Sequence, residues 1–458
     1  MFRNALLSIV LVLPVFIYGQ TFVDQVNNLP ALQLGSAAWA DYDQDGDEDV
    51  AIVGFSSQVA EQGFIFRNDN GIFTVVDTNI LHVFYGSVNW GDYDNDHDLD
   101  LLINGQINGG AGVQLYRNDG NSVFTPVSTG FVAVQGIMRW LDIDNDGMLD
   151  VIVSGLMDSA FTDTTIVYRN QGGGNFSVMP TNLISFMAHD IAVSDYNNDS
   201  LPDLFVTGKD KTFFRAFSAL FTNHGGGNFT MDSSSFRQLF TGTSKWGDAE
   251  GDGDLDILYD GIEDDNSAFS VVYLNDGNGN FTELTTNLPG TGEPGTVDWA
   301  DMDHDGDLDI ALNGGYLMRN DGGGNFTDVT PWQTGFFYHP VQFIDYDHDG
   351  DDDIFLMNFF GNSGSTIFRN DLINGIEVLN HDRLPEIFPN PACQYIELDI
   401  PVGQEFSVFR IYSLEGKLLR AVDAKYHERI KLDHLEAGIY FLEIIGVDKT
   451  IIKRFIKN

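Results

Sequence analysis

A single cysteine, Cys393, in 458 residues rules out an intrachain disulfide and leaves no thiolate set for a zinc cluster. Its expected role is that of a small apolar filler. Basic residues are scarce too. Lys and Arg number 23 against 68 Asp and Glu, a formal net charge of −45. That balance argues against nucleic acid or an anionic membrane surface as a partner, since both demand clustered cations. After residue 20 no apolar run approaches the length of a membrane span. Proline (13 residues) is too rare beside glycine (49 residues) for a Pro-rich linker, and no catalytic signature such as a nucleophile elbow or His-Glu-x-x-His is found. The ten histidines are scattered. What remains is a turn-rich chain, 43% hydrophobic and 13% aromatic, with ample material for a core.

The organising element is an acidic loop that recurs seven times, starting at Asp41, Asp92, Asp142, Asp195, Asp248, Asp301 and Asp345. Its third position holds Asp43, Asp94, Asp144, Asn197, Glu250, Asp303 and Asp347. The fifth holds Asp45, Asp96, Asp146, Asp199, Asp252, Asp305 and Asp349, and the ninth Asp49, Asp100, Asp150, Asp203, Asp256, Asp309 and Asp353. A glycine at position 6 permits the sharp turn, except where His97 and Ser200 replace it. Alternating oxygen ligands around such a turn are what a Ca²⁺ loop requires. At about 4 Å and an effective dielectric near 20, each like-charged pair costs roughly 4 kcal/mol, so folding and cation binding are expected to be coupled. These 28 residues are the candidate ligands for up to seven structural Ca²⁺ ions, the loops at Asp195 and Asp248 being the weakest. No catalytic or organic-cofactor residue is assigned. The EF-hand fails as an alternative, because aliphatic residues stand where its bidentate Glu would be and a strand follows in place of a helix. A merely solvated acidic turn is the plainer reading.

Around each loop the unit repeats. Two residues before it stand Trp39, Trp90, Trp140, Val193, Trp246, Trp299 and Phe343, which indicates a structural slot. Short aliphatic runs follow, such as Val50-Ala-Ile-Val and Ile310-Ala-Leu, whose length suits buried strands. Thirteen residues after each start lie Gly54, Gly105, Gly155, Gly208, Gly261, Gly314 and Asn358, read as the sharp ends of those strands. A third strand then closes on a hairpin of the type Arg-Asn-Asp-Gly, and a return strand begins with Phe-Thr or Phe-Ser. Four short strands per unit, seven times, imply an all-β chain with a seven-bladed β-propeller over 21–380. A linear solenoid is the alternative, but none of the units resembles a cap. Thr21-Phe22-Val23 resembles a return strand, and the seventh unit lacks one; residues 21–30 are expected to complete the last blade and close the ring.

Residues 1–20 read as a signal peptide: Arg3, an apolar stretch from Ala5 to Tyr18, then Gly19-Gln20. A retained N-terminal anchor is the alternative. Residues 381–458 lose the repeat and most of the acidity, with 11 Lys/Arg against 12 Asp/Glu, where residues 1–380 have 12 against 56. Alternation in Phe406–Tyr412 and Ile439–Ile445 points to a small C-terminal β-sandwich.

The acidic loops in units of about 50 residues resemble the FG-GAP/VCBS-type repeats of integrin α-subunit heads. The resemblance implies a propeller with structural loop ions. The literal Phe-Gly and Gly-Ala-Pro signature is absent. Residues 381–458, with Pro389-Asn-Pro391, Gly416-Lys417, Ala437-Gly-Ile-Tyr440 and the basic stretch Lys453-Arg454, resemble the C-terminal sorting domain of the type IX secretion system of Bacteroidota. That implies passage across the outer membrane by the type IX machinery, to the cell surface or the medium. The expected function is that of an exported calcium-binding module for an extracellular glycan or protein ligand, with no transmembrane segment in the mature chain. A propeller-based polysaccharide lyase or hydrolase is the alternative, and a passive surface-coat component a third.

Overall fold

The computed structural model describes residues 22–25, 27–56, 60–157, 163–210, 215–291, 296–332, 340–357, 364–370, 386–388, 394–399, 406–413, 417–423, 429–432, 435–446 and 450–457. The signal reading of 1–20, Cys393 and Asn358 lie outside them. The described residues form strands and turns and no helix, so none contains a helix able to cross a membrane. The fold is all-β. Two compact units are separable, one of them Thr21–Asn370 and the other containing Asp371–Asn458.

In the first unit each repeat folds into one four-stranded antiparallel sheet. The first sheet runs Gln33–Ala40, Asp49–Ser56, Ala60–Asp69, Ile72–Asp77, and the next five repeat that order of consecutive strands. The second strand of each is buried on both faces, and its neighbours explain why. Val50 and Ile52 point into a cluster with Ile344 and Phe355 of the seventh sheet, while Ala51 and Val53 join Val88, Leu101 and Ile103 of the second. A strand sandwiched between two neighbouring sheets has no solvent side, so its apolar run is continuous and not alternating.

The seventh sheet takes three strands from the end of the array (Val341–Ile344, Asp353–Leu356, Thr366–Asn370) and its outer strand from Phe22–Gln25. Phe22 pairs with Asn370 and Gln25 with Ile367. Thus the strand at 22–25 completes the last sheet, the place its likeness to a return strand assigns. The seventh sheet packs on the first through the shared cluster, and Gln342 Nε2 donates to the Ala37 carbonyl at 3.4 Å. A cavity of about 880 Å³ is lined by residues in or leading into the first strand of all seven sheets, among them Trp39, Asn89, Arg139, Asp190, Lys245, Val297 and Gln342. The sheets are propeller-like blades.

One expectation needs correcting. At Gly54, Gly105, Gly155, Gly208 and Gly261 the glycine thirteen residues into the unit lies within a strand and is not its sharp end, whereas Gly314 (φ 84°) does occupy the turn after Asp309–Leu312. Gly54 pairs with Gln62 within the strand Asp49–Ser56, and Gly105 with Gly112 within Asp100–Ile107. Its role is close backbone approach. The first strand bulges against it, with the register shifting between Gln33 and Ser36 and between Phe84 and Ser87. A Cβ on Gly86 would lie 2.4 Å from Gly105 Cα and 1.9 Å from the Asn104 carbonyl oxygen. No side chain fits at that crossing.

In the second unit, Glu386–Phe388, Tyr395–Asp399 and Arg429–Lys431 form one sheet, and Leu418–Asp423, Phe406–Ser413, Gly438–Gly446 and Thr450–Lys457 another. Buried side chains come from both. Ile396 and Ile430 belong to the smaller sheet, while Phe409, Ile411, Leu442 and Ile444 alternate along the larger one, as in a small β-sandwich.

Deleting residues 21–26 unpairs the outer edge of Thr366–Asn370. We expect a lower Tm by differential scanning calorimetry and concentration-dependent self-association by size-exclusion chromatography, because an open edge recruits another strand.

Candidate metal centres

Each acidic loop connects the first and second strands of a sheet, and its carboxylates divide into distinct tasks. The first aspartate caps the loop's own backbone. Asp41 accepts from the amides of Asp45 and Gly46, both at 3.0 Å, and Asp301 from those of Asp305 and Gly306 at 3.0 and 3.1 Å. The fifth accepts the amide two residues on, as Asp45 does from Asp47 at 3.0 Å and Asp305 from Asp307 at 3.0 Å. These contacts fold the loop tightly enough to need left-handed backbone twice. Position 6 has positive φ in every loop, including His97 (75°) and Ser200 (72°). Position 4 has it as well: Gln44, Asn95, Asn145, Asn198, Gly251, His304 and His348 all lie between 55° and 68°. The second requirement was not read from the sequence, although the run of Asn and Gly at that position carries its signal.

The ninth aspartate is fully buried in all seven loops. Asp49 accepts from the Tyr42 amide at 3.2 Å with one oxygen and from the Asn68 amide at 2.7 Å with the other. Burial pushes its carboxyl up to about 8, that of Asp150 to about 6 and that of Asp353 to about 9.

The third position is different. Asp43, Asp94, Asp144, Asp303 and Asp347 each hold one buried carboxylate oxygen, Oδ1, with no hydrogen-bond partner among the described residues. Burial, then neighbouring carboxylates, raises their pKa values. In the same five loops three carboxylates each bring an oxygen within 4.8 Å of the others. In the first three loops the triad is positions 1, 3 and 5 (Asp41, Asp43, Asp45 and their equivalents), and in the last two positions 1, 3 and 9. No such triad of carboxylates forms at the Asp195 loop, where Asn197 holds position 3, or at the Asp248 loop, where Glu250 does. All-oxygen donors, including an orphaned buried oxygen, fit a hard divalent cation.

Comparison with known proteins follows this geometry. A family model for FG-GAP-like repeats matches residues 41–103, 142–206 and 261–312, and one for a secretion system C-terminal sorting domain matches 386–458. The chain carries FG-GAP-like repeats and a C-terminal sorting domain. The sorting domain indicates export by type IX secretion to the cell surface or the extracellular space. No curated protein matches. Among solved structures, the V. cholerae biofilm matrix protein Bap1 is similar at 11% identity and a TM-score of 0.36, over 96% of this chain and 70% of that one. The extracellular domain of a hybrid two component system from B. thetaiotaomicron is similar at 10% identity and a TM-score of 0.43, over 95% of this chain and 56% of that one.

Within the FG-GAP-like repeats the hairpin asparagine has a role beyond the turn that its sequence suggested. Besides donating its amide to the ninth aspartate, Asn118 donates Nδ2 to the Tyr42 carbonyl of the preceding repeat's loop at 3.1 Å. Asn68, Asn170, Asn223, Asn275 and Asn370 make the equivalent bond, and that of Asn68 reaches Tyr346 of the seventh repeat at 2.8 Å. The tryptophan slot serves the same junction. Trp90 stacks on Tyr42 of the first repeat with ring centroids 5.5 Å apart, and Trp246 on Tyr196 at 5.9 Å.

Asn118→Ala leaves a buried carbonyl without its donor and should cost about 1–3 kcal/mol in urea unfolding. The pH dependence in chelator has a definite sign. A buried carboxyl held above its unfolded value favours folding while protonated. That contribution is complete below the unfolded pKa near 4 and is lost as pH rises through the folded values, from about 6 at Asp150 to about 9 at Asp353. Calcium-free protein should therefore melt at a lower temperature at pH 8.5 than at pH 5.5.

Proposed function

We propose that this chain is an exported calcium-braced β-propeller that binds an extracellular glycan or protein ligand. In this reading residues 1–20 are a signal peptide, 21–380 a closed ring of seven blades, and 381–458 the domain that engages the type IX secretion machinery. Positions 1, 3, 5 and 9 of each loop hold one structural Ca²⁺.

The observation that carries the calcium assignment is the orphaned Oδ1 of Asp43, Asp94, Asp144, Asp303 and Asp347. A buried carboxylate oxygen without a partner is costly, and these five coincide with the five carboxylate triads. A bound cation supplies the missing partner and offsets the repulsion within each triad. Ring closure is supported by the strand Phe22–Gln25 in the seventh sheet and by the apolar cluster that this sheet shares with the first. Export places the propeller where a ligand outside the cell can meet it. The cavity, walled by all seven sheets, is one concave surface on offer.

Stability separates this from a solvated acidic turn. Ligand at a hundred times its Kd adds about 2.7 kcal/mol per site, so calcium-loaded protein should melt several degrees above protein in EDTA. Asp303→Asn should shrink the difference. Equal melting temperatures with and without chelator would rule out the calcium role. For the ligand, the exported chain is to be screened against glycan and surface-protein arrays with and without EDTA. Calcium-dependent capture is expected, whereas depolymerisation of a polysaccharide would replace the binding role with a lyase or hydrolase.

A further inference from the structure

The residue before the hairpin asparagine is arginine in five repeats: Arg67, Arg117, Arg169, Arg319 and Arg369. These are the five whose third loop position is aspartate. Thr222 and Leu274 take the place of arginine beside Asn197 and Glu250. The arginine therefore accompanies the third carboxylate, and its guanidinium points in different directions in different repeats. In four repeats the residue two further on is aspartate (Asp69, Asp119, Asp321 and Asp371), and the first three of these capture it. Asp371 lies outside the described residues, and Arg369 stands 4.0 Å from Asp347 Oδ2 of its own loop. Arg67 meets Asp69 at 2.8 Å, Arg117 meets Asp119 at 2.6 Å, and Arg319 meets Asp321 at 2.7 Å. The hydroxyls of Thr125 and Thr327 also donate to Asp119 and Asp321, holding these acceptors in place. In the third repeat the position is Gln171, which offers no charge. Arg169 turns instead to the loop, at 2.7 Å from Asp144 Oδ2 and 2.9 Å from Asp146 Oδ2.

We infer that the ion sites are graded by their own arginines: Arg169 is an internal competitor for the Asp142 loop, and residue 171 sets how strongly it competes. This rests on the calcium reading proposed above. A divalent ion entering that loop meets two ligand carboxylates already engaged by a guanidinium and must displace it. In the first, second and sixth repeats the hairpin aspartate holds the arginine away from the ligands, so that it only softens their mutual repulsion. Partly exposed ion pairs are modest, so the Asp142 site should be about three- to tenfold weaker than its counterparts at Asp92 and Asp301. The same guanidinium neutralises part of the loop's charge, so this loop depends less on calcium for folding than those at Asp92 and Asp301.

The test is calorimetric titration of the full chelator-stripped chain with Ca²⁺, for wild type, Gln171→Asp and Asp119→Gln. Gln171→Asp should tighten one weak step three- to tenfold, and Asp119→Gln should move one tight step into the weak class. Gln171 is exposed, so its variant reports even if Asp119→Gln folds poorly. Calcium binding with an isotherm that Gln171→Asp leaves unchanged overturns the grading and spares the calcium role. No calcium binding in wild type overturns both.

Discussion

The structure of the repeat unit depends on one buried carboxylate. In six of the seven loops the ninth residue ties the amide at loop position 2 to the amide of the hairpin asparagine, and in the fourth Asp203 holds the Asn223 amide. That asparagine, in six repeats, reaches the neighbouring loop with its side chain. Loop, sheet and adjacent sheet are thereby linked through two side chains. In a buried setting each of these groups is costly to leave unpaired, so the linkage specifies geometry more than it adds net stability.

The acidity of the chain follows from the same arrangement. A charge of −45 looks like a liability for folding, since like charges repel in the compact state. Much of it lies in loops where backbone amides donate to the first, fifth and ninth carboxylates in an ordered way. The third carboxylate is the exception, with an unsatisfied oxygen in five loops and an arginine beside it on the third strand. In the reading proposed above, a fixed cation and a mobile one share that acidic site, and the balance between them varies among repeats with the direction of the arginine. The C-terminal unit has no comparable loop among its described residues and nearly balanced charge. Its core is apolar alternation on two sheets. The two parts of the chain solve the problem of stability without disulfides by different physical means.

Much of this was legible in the residues. Period, strand count, the acidic loops and the tryptophan slot come from residue type and spacing alone, because a repeated unit shows its local requirements several times over. The likeness of Thr21-Phe22-Val23 to a return strand was enough to place it in the last sheet. What tertiary structure decided is whatever depends on a neighbour distant in sequence. Gly54 and Gly105 are needed for a backbone crossing and not for a strand end, since the clash is with a bulge on another strand. The hairpin asparagines look like turn formers, but their Nδ2 groups serve a carbonyl 68 to 80 residues earlier, or 278 later in the case of Asn68. The direction of Arg169, toward Asp144 and Asp146 of its own loop, is likewise something no spacing rule ranks. Short-range spacing specified the sheets and loops; which polar group meets which across adjacent sheets emerged once packing brought those surfaces together.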